Sequence, residues 1–170
     1  MVSVAADTLD TACELAAAVP DPEMPILTLA DLGVLRDVRS DVDGTIVVTI
    51  TPTYSGCPAM AEIRADIART LRGSGYPQVR VDTVLAPAWS SDWITEDGRR
   101  KLREHGYSTP GPAPRRGPVA LTLIPARRRV RCPRCDSPDT ERISEFGATA
   151  CKALYRCRTC QEPFDHVKEI

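Results

Sequence analysis

Two Cys-x-x-Cys pairs, Cys132-Pro-Arg-Cys135 and Cys157-Arg-Thr-Cys160, constrain this chain more than any other feature. Each pair can bend its backbone so that both thiolates reach one ion. Two such knuckles complete a tetrahedral tetrathiolate shell, the closed geometry of structural zinc. The 21 residues between Cys135 and Cys157 have room for a hairpin, with Thr140 to Ser144 out, Phe146-Gly147 near the turn and Lys152 to Arg156 back. A last strand is expected through Pro163-Phe164-Asp165. The arrangement is that of a zinc ribbon. Four thiolates also suit iron or an iron–sulfur cluster, so the thiolates alone do not choose the metal. About fifty residues bury little core, so metal binding is expected to supply much of the folding energy here. Cys151 reads as structural or incidental, and His166 as a surface residue rather than a ligand.

The rest of the 170 residues are enough for one further domain. Ser108 to Pro118 is rich in Pro, Gly and Arg and reads as a semi-rigid linker. The expected division is therefore residues 1–107, a linker over 108–118, and a ribbon module over 119–170. Charge follows it: residues 1–114 carry 10 Lys/Arg and 16 Asp/Glu, whereas residues 115–170 carry 12 and 7. Such asymmetry gives the second module an electrostatic route to acidic partners, and head-to-tail self-association would also satisfy it. No run of about 18 apolar residues is present to span a membrane. The N-terminus shows no basic region ahead of an apolar core, so a cytoplasmic location is expected. In a reducing compartment the paired cysteines point to metal rather than disulfides.

Ahead of the linker the pattern alternates between helix and strand. Asp7 to Val19 carries Leu9, Ala12, Cys13, Ala16 and Val19 at helical spacing, which places Cys13 on the core stripe. Pro20, Pro22 and Pro25 then force an extended, turn-rich segment presenting Asp21, Glu23 and Asp31. Turn formation accounts for Asp21 and Asp31, and a supporting role near a reactive group is the alternative. Leu32 to Val38 reads as a strand, Asp43-Gly44 as a hairpin turn, and Thr45 to Thr51 as the strongest strand in the chain. A helix is expected over Pro58 to Arg72, then a strand with Val79, Val81, Thr83 and Leu85 on one face. Thr95 opens a thin, peripheral helix. Trp89 and Trp93 are expected to pack a loop onto the sheet. The fold class is α+β: a small α/β domain with a three- to four-stranded sheet and helices packed on it, plus the C-terminal zinc ribbon.

Between the strongest strand and the following helix lies Thr51-Pro-Thr-Tyr-Ser-Gly-Cys57-Pro-Ala-Met60. Pro58 suits the first helical position, which puts Cys57 at or beside the N-cap. The amide donors and positive dipole end there favour thiolate. The plainer reading is a small residue tucked under the helix. No Ser-His-Asp set, phosphate loop or dinucleotide fingerprint appears. Neither His105 nor His166 lies in a motif, and no base accompanies Cys57, so no catalytic activity of its own is expected.

The segments DPEMPILTLADLGVLRDV and TPTYSGCPAM resemble the SufT-like family of iron–sulfur assembly factors. The Trp89-to-Ile94 segment and a ribbon reading CPRCDSPDTERISEFGATACKALYRC, followed by Glu162-Pro-Phe-Asp165, narrow the resemblance to the PaaD family. These are accessory proteins of the multicomponent phenylacetyl-CoA oxygenase (epoxidase) system. The resemblance implies a role in assembling or maintaining the iron–sulfur or iron centre of that oxygenase, with its subunits as partners. It also implies Cys57 as the reactive cysteine, Cys132, Cys135, Cys157 and Cys160 as structural zinc ligands, and Asp21, Glu23 and Asp31 as the acidic positions. A transient iron or cluster at Cys57 would need a second thiolate, from a homodimer or a client. The rival reading is a zinc-ribbon nucleic-acid-binding protein using Arg127 to Arg131. A structural subunit of the oxygenase is a further one.

Overall fold

The β-branched run around Val47 and Val48 forms the central strand of the first sheet, as its composition predicts. In this computed structural model the described residues are 3–114 and 130–170, with side chains described from residue 8. Residues 119–124 at the start of the ribbon module, and Arg127 to Arg129 of the basic run, lie outside them. The chain divides into two compact units: Met1–Trp89 with Trp93–Gly98, and Ser90–Asp92 with Arg99–Ile170.

In the first unit, α1 (Ser3–Ala17) is followed by β1 (Leu35–Ser40), β2 (Ile46–Ile50), α2 (Met60–Gly73) and β3 (Val79–Thr83). The sheet order is β1-β2-β3. β1 runs antiparallel to β2 through Val38 opposite Val48, and β3 runs parallel to β2 through Val48 opposite Val81. β2, α2 and β3 thus make a parallel crossover unit, in which the helix starts above the carboxyl end of β2. Ile63, Ile67 and Leu71 recur at helical spacing and are buried along α2. α1 packs against β1 and α2, and the small side chains Ala12 and Ala16 are fully buried on it.

Two expectations need correction in this unit. Cys13 is exposed: the buried positions of α1 are Ala12 and Ala16, with Val19 buried just past its end, and Cys13 lies one position round from them. The strand expected from Leu32 begins only at Leu35. Before it, the Leu32 N–H donates to Thr28 O, and Gly33 adopts φ +66 in a further turn. Glycine is required there, because a Cβ would stand 2.6 Å from Trp93 Cβ.

Trp89 is 3% exposed and its Nε1–H donates to Leu32 O at 2.8 Å, so it pins its loop to the turn ahead of β1 rather than to a sheet strand. The Trp93 ring stacks beneath the Arg36 guanidinium at 3.8 Å. Thr95 caps α3 (Glu96–Glu104), its Oγ1 accepting the Gly98 N–H, while the Thr95 N–H donates to Asp31 O. Leu102 on that helix is fully buried rather than peripheral.

The second unit contains an antiparallel meander of β4 (Thr140–Ser144), β5 (Lys152–Cys157) and β6 (Pro163–Val167). Val130, Cys132, Cys157 and Phe164 form its core, with Tyr155 stacked on Phe164 at 5.9 Å. Ser108 adds a parallel bridge to β6: its N–H donates to Asp165 O and its carbonyl accepts the Val167 N–H. His166, expected at the surface, is only 4% exposed. Its Nδ1 lies 3.2 Å from Ser108 Oγ, its Nε2 3.6 Å from Glu169 Oε1, and Tyr155 meets it edge-on.

Glu169 also accepts the Gly111 N–H at 3.0 Å. Burial alone would raise its pKa. Hydrogen bonding to His166 and to the Gly111 amide overrides that and holds the carboxyl down to about 2. A depressed carboxylate stabilises the fold above its ordinary value of 4.5, and that contribution is lost as pH falls toward 2.

Two substitutions test these contacts. Gly98 packs so tightly that a Cβ would stand 2.8 Å from Asp31 O. Gly98→Ala is therefore expected to destabilise the first unit by about 1–3 kcal/mol, read as a lower thermal midpoint. Glu169→Gln is expected to cost the second unit about 1.5 kcal/mol at pH 7, measured by denaturant unfolding of the metal-loaded chain.

Candidate metal centre and thiol site

Each Cys-x-x-Cys sits in a tight turn whose amides point back at sulfur. The Arg134 N–H donates to Cys132 Sγ and the Cys160 N–H to Cys157 Sγ, each at 3.4 Å. The knuckles face each other so that Cys132 Sγ lies 3.7 Å from Cys160 Sγ, and Cys135 Sγ lies 3.6 Å from Cys157 Sγ. All four sulfurs fall within 4.8 Å of one another. A tetrahedral zinc ion with Zn–S bonds of about 2.3 Å sets its sulfurs about 3.8 Å apart. The four cysteines brought together by the fold therefore fit a tetrahedral metal ion such as zinc. Ser137 Oγ, just past the first knuckle, and Thr159 Oγ1, inside the second, are 2.7 Å apart and tie the two turns together.

Four thiols this close do not titrate alike. Cys135 accepts from the Ser137 amide, which favours its thiolate. Desolvation and bonding to the Cys157, Cys160 and Cys132 thiols outweigh that and push it up to about 12. At Cys157 the Cys160 amide, with the Thr159 amide and the Cys135 and Cys160 thiols, overcomes burial and brings it down to about 6. Full ionisation of the set requires the charge of a bound cation. Cys151 is buried elsewhere, its sulfur 3.0 Å from Thr149 Oγ1, and is not one of the four.

In the first unit, the loop leaving β2 delivers Cys57 to the start of α2. The Cys57 N–H donates to Tyr54 O, and the Cys57 carbonyl accepts the Met60 N–H. Cys57 therefore opens a single turn that runs into the helix. Pro58, expected at the first helical position, lies within that turn instead: Ala59 is the N-cap of α2 and Met60 its first residue, so Cys57 stands two positions ahead of the N-cap rather than at it. Cys57 is half-buried between exposed Gly56 and exposed Pro58.

The acidic residues are built into turns. Asp21 Oδ1 accepts the Glu23 and Met24 N–H groups at 2.9 and 2.8 Å. Asp31 Oδ2 accepts the Thr28 N–H while Thr28 Oγ1 accepts the Asp31 N–H. Both carboxylates are buried, and Glu23 is half-buried beside Asp21. A feature the sequence did not reveal is Thr51 at the base of the Cys57 loop. Its hydroxyl is buried with no hydrogen-bond partner among the described residues, a condition that costs about 1–3 kcal/mol. A threonine at the end of a β-branched run signals only a strand former, so nothing marked it.

Together, the architecture defines a two-part protein: an α+β domain with a thiol at a helix mouth, and a metal-binding zinc ribbon. A family model described as an iron–sulfur cluster assembly protein matches residues 15–86, and one described as the PaaD zinc beta ribbon domain matches residues 117–168. The chain is 48% identical over 152 residues to a putative 1,2-phenylacetyl-CoA epoxidase subunit of Escherichia coli (strain K12), covering 89% of this chain and 87% of that protein. It belongs to that protein's family, the PaaD family. An Fe-S protein maturation auxiliary factor from Porphyromonas gingivalis (strain ATCC BAA-308 / W83) is 33% identical over 85 residues, 49% of this chain and 80% of that one. Among solved structures, a domain of unknown function, DUF59, from Bacillus anthracis matches at 27% identity with a TM-score of 0.51, over 57% of this chain and 92% of that chain. No helix among the described residues is long and apolar enough to cross a membrane.

The metal centre has a direct test. The purified chain is expected to hold one zinc per molecule by elemental analysis. Its removal with a chelator at low pH should unfold β4–β6 while leaving the first unit's helices intact, followed by circular dichroism and amide exchange.

Proposed function

We propose that this protein is an accessory maturation factor for the iron–sulfur or iron centre of a phenylacetyl-CoA oxygenase. Cys57 acts as a transient thiolate ligand, and the zinc ribbon recognises the client. The observation that carries the reading is the half-buried Cys57 at the mouth of α2, inside the segment that matches iron–sulfur assembly proteins. A thiolate is a soft ligand suited to iron, and the loop leaves it accessible. One thiol does not hold a cluster, so the remaining ligands come from a client thiol or from Cys57 of a second copy. Asp21, Glu23 and Asp31 support the site by fixing the turns ahead of β1. The ribbon's four thiolates fill the coordination sphere of a zinc ion, which leaves no open position for catalysis there. Oxidation of the ring then belongs to the other subunits, and the working location is the cytoplasm.

The charge pattern favours this reading over nucleic-acid binding. On the ribbon, Arg131 pairs with Asp136, Arg134 with Glu162, Arg142 with Glu145 and Arg158 with Glu141. These four arginines are thereby less available to phosphates.

In cells that assemble the oxygenase, Cys57→Ala is expected to lower the iron content of the purified oxygenase by at least about tenfold, the scale on which losing a supporting residue weakens a metal site. The zinc content of the variant itself should stay at one per chain. Unchanged oxygenase iron and activity would rule out the proposed role of Cys57.

A further inference from the structure

Charged residues make up 26% of this chain, yet none occurs between Asp43 and Glu62 or between Asp82 and Asp92. Much of the first gap is buried strand. The rest of it, together with the second gap, forms loops at one place in the fold. β2 and β3 are parallel neighbours with Ile50 opposite Thr83, and the Val84 N–H donates to Ile50 O. The Cys57 loop and the segment Val84–Ala88 therefore leave the same end of adjacent strands. Leu85 is 59% exposed there, followed by exposed Ala86, Pro87 and Ala88. On the Cys57 side, Ser55, Gly56 and Pro58 are exposed.

The segment is also held in place. The Val84 amide fixes one end, and buried Trp89, bonded to Leu32 O, fixes the other. A preorganised apolar loop loses little conformational entropy when it is covered. By contrast, the outward side chains of β1 and β3 are charged, with Arg39, Asp41, Arg80 and Asp82 in ion pairs. The ribbon's exposed Phe146 lies beneath Lys168 Nζ at 4.2 Å, with Lys168 paired to Glu145. Among these surfaces, only the rim beside Cys57 is apolar, uncharged and adjacent to a candidate reactive group.

We infer that the rim formed by Leu85–Ala88 and the Cys57 loop is the docking surface for the client protein. It takes an uncharged, apolar client segment that flanks the client's metal-binding thiol. The inference rests on the maturation role proposed for Cys57 and adds the contact that brings client and thiol together. A charged client segment would lose hydration at this rim and find no counter-charge in either loop, so neutrality selects the partner as well as attracting it.

The test uses the full-length chain with the oxygenase subunits of the same organism. Leu85→Glu places a charge in the rim, and Val42→Glu serves as the control. Val42 is fully exposed in the β1–β2 hairpin, at the opposite end of the sheet. Leu85→Glu should reduce co-purification of the oxygenase at least about tenfold, the scale of an interface hot spot, with zinc content and thermal midpoint unchanged. Val42→Glu should have no effect. A photo-crosslinking amino acid at position 85 should attach to an oxygenase subunit identified by mass, and one at position 42 should not. Crosslinking at position 85 to a second copy of this chain alone, or equal behaviour of both positions, would overturn the inference. If Cys57→Ala lowers oxygenase iron but Leu85→Glu does not, the docking surface fails and the maturation role stands. If Leu85→Glu releases the oxygenase but Cys57→Ala leaves its iron unchanged, the surface stands and the role of Cys57 fails.

Discussion

Four sulfur atoms held within 4.8 Å of one another are the constraint on which the second unit depends. Thiolates at that spacing repel, and as thiols they bond to one another, which pushes Cys135 up, while Cys157, accepting the Cys160 and Thr159 amides, is brought down. A divalent cation removes the conflict by ionising all four together. The three short strands that carry these knuckles bury a core of a few residues around Val130 and Phe164. A core of that size is marginal without a cross-link or a metal. The ion is thus part of the fold, and the knuckle turns, the Ser137–Thr159 bond and the Tyr155–Phe164 stack are arranged around it.

The first unit solves a different problem. Its parallel β2–β3 pair requires a crossover, and α2 provides it. The crossover places a loop and a helix start at the carboxyl end of β2, the position where open α/β arrangements commonly carry their ligands. Cys57 occupies that position because the strand must end and a helix must begin there. The backbone bonds around it are those of an ordinary turn into a helix.

The sequence makes much of this legible, for reasons that differ between the units. The ribbon is visible because metal chemistry dictates both residue type and spacing, and neither depends on distant context. β2 and α2 are visible because a continuous β-branched run marks a strand buried on both faces, and Ile63, Ile67 and Leu71 recur at the helical spacing. Cys13, by contrast, falls outside the buried stripe by a single helical step, a margin too fine for a helix rich in alanine. His166 is hidden because its partners Ser108 and Tyr155 come from other segments, and polarity alone assigns such a residue to the surface. The late start of β1 turns on Gly33, whose left-handed backbone is set by its approach to Trp93, sixty residues later.

Two sulfur–sulfur contacts in the ribbon join residues of different knuckles, Cys132 to Cys160 at 3.7 Å and Cys135 to Cys157 at 3.6 Å. While metal is bound, that crossing is only geometry. In a chain that loses metal before its strands unfold, it decides what an oxidant would make of the protein. Thiolate attack follows proximity, so the favoured disulfides would staple one knuckle to the other rather than close each on itself. The hairpin would keep its outline, but the ligand set would be consumed. Reloading such a chain would require a reductant before a metal, which ties the ribbon's recovery to the thiol balance of its surroundings.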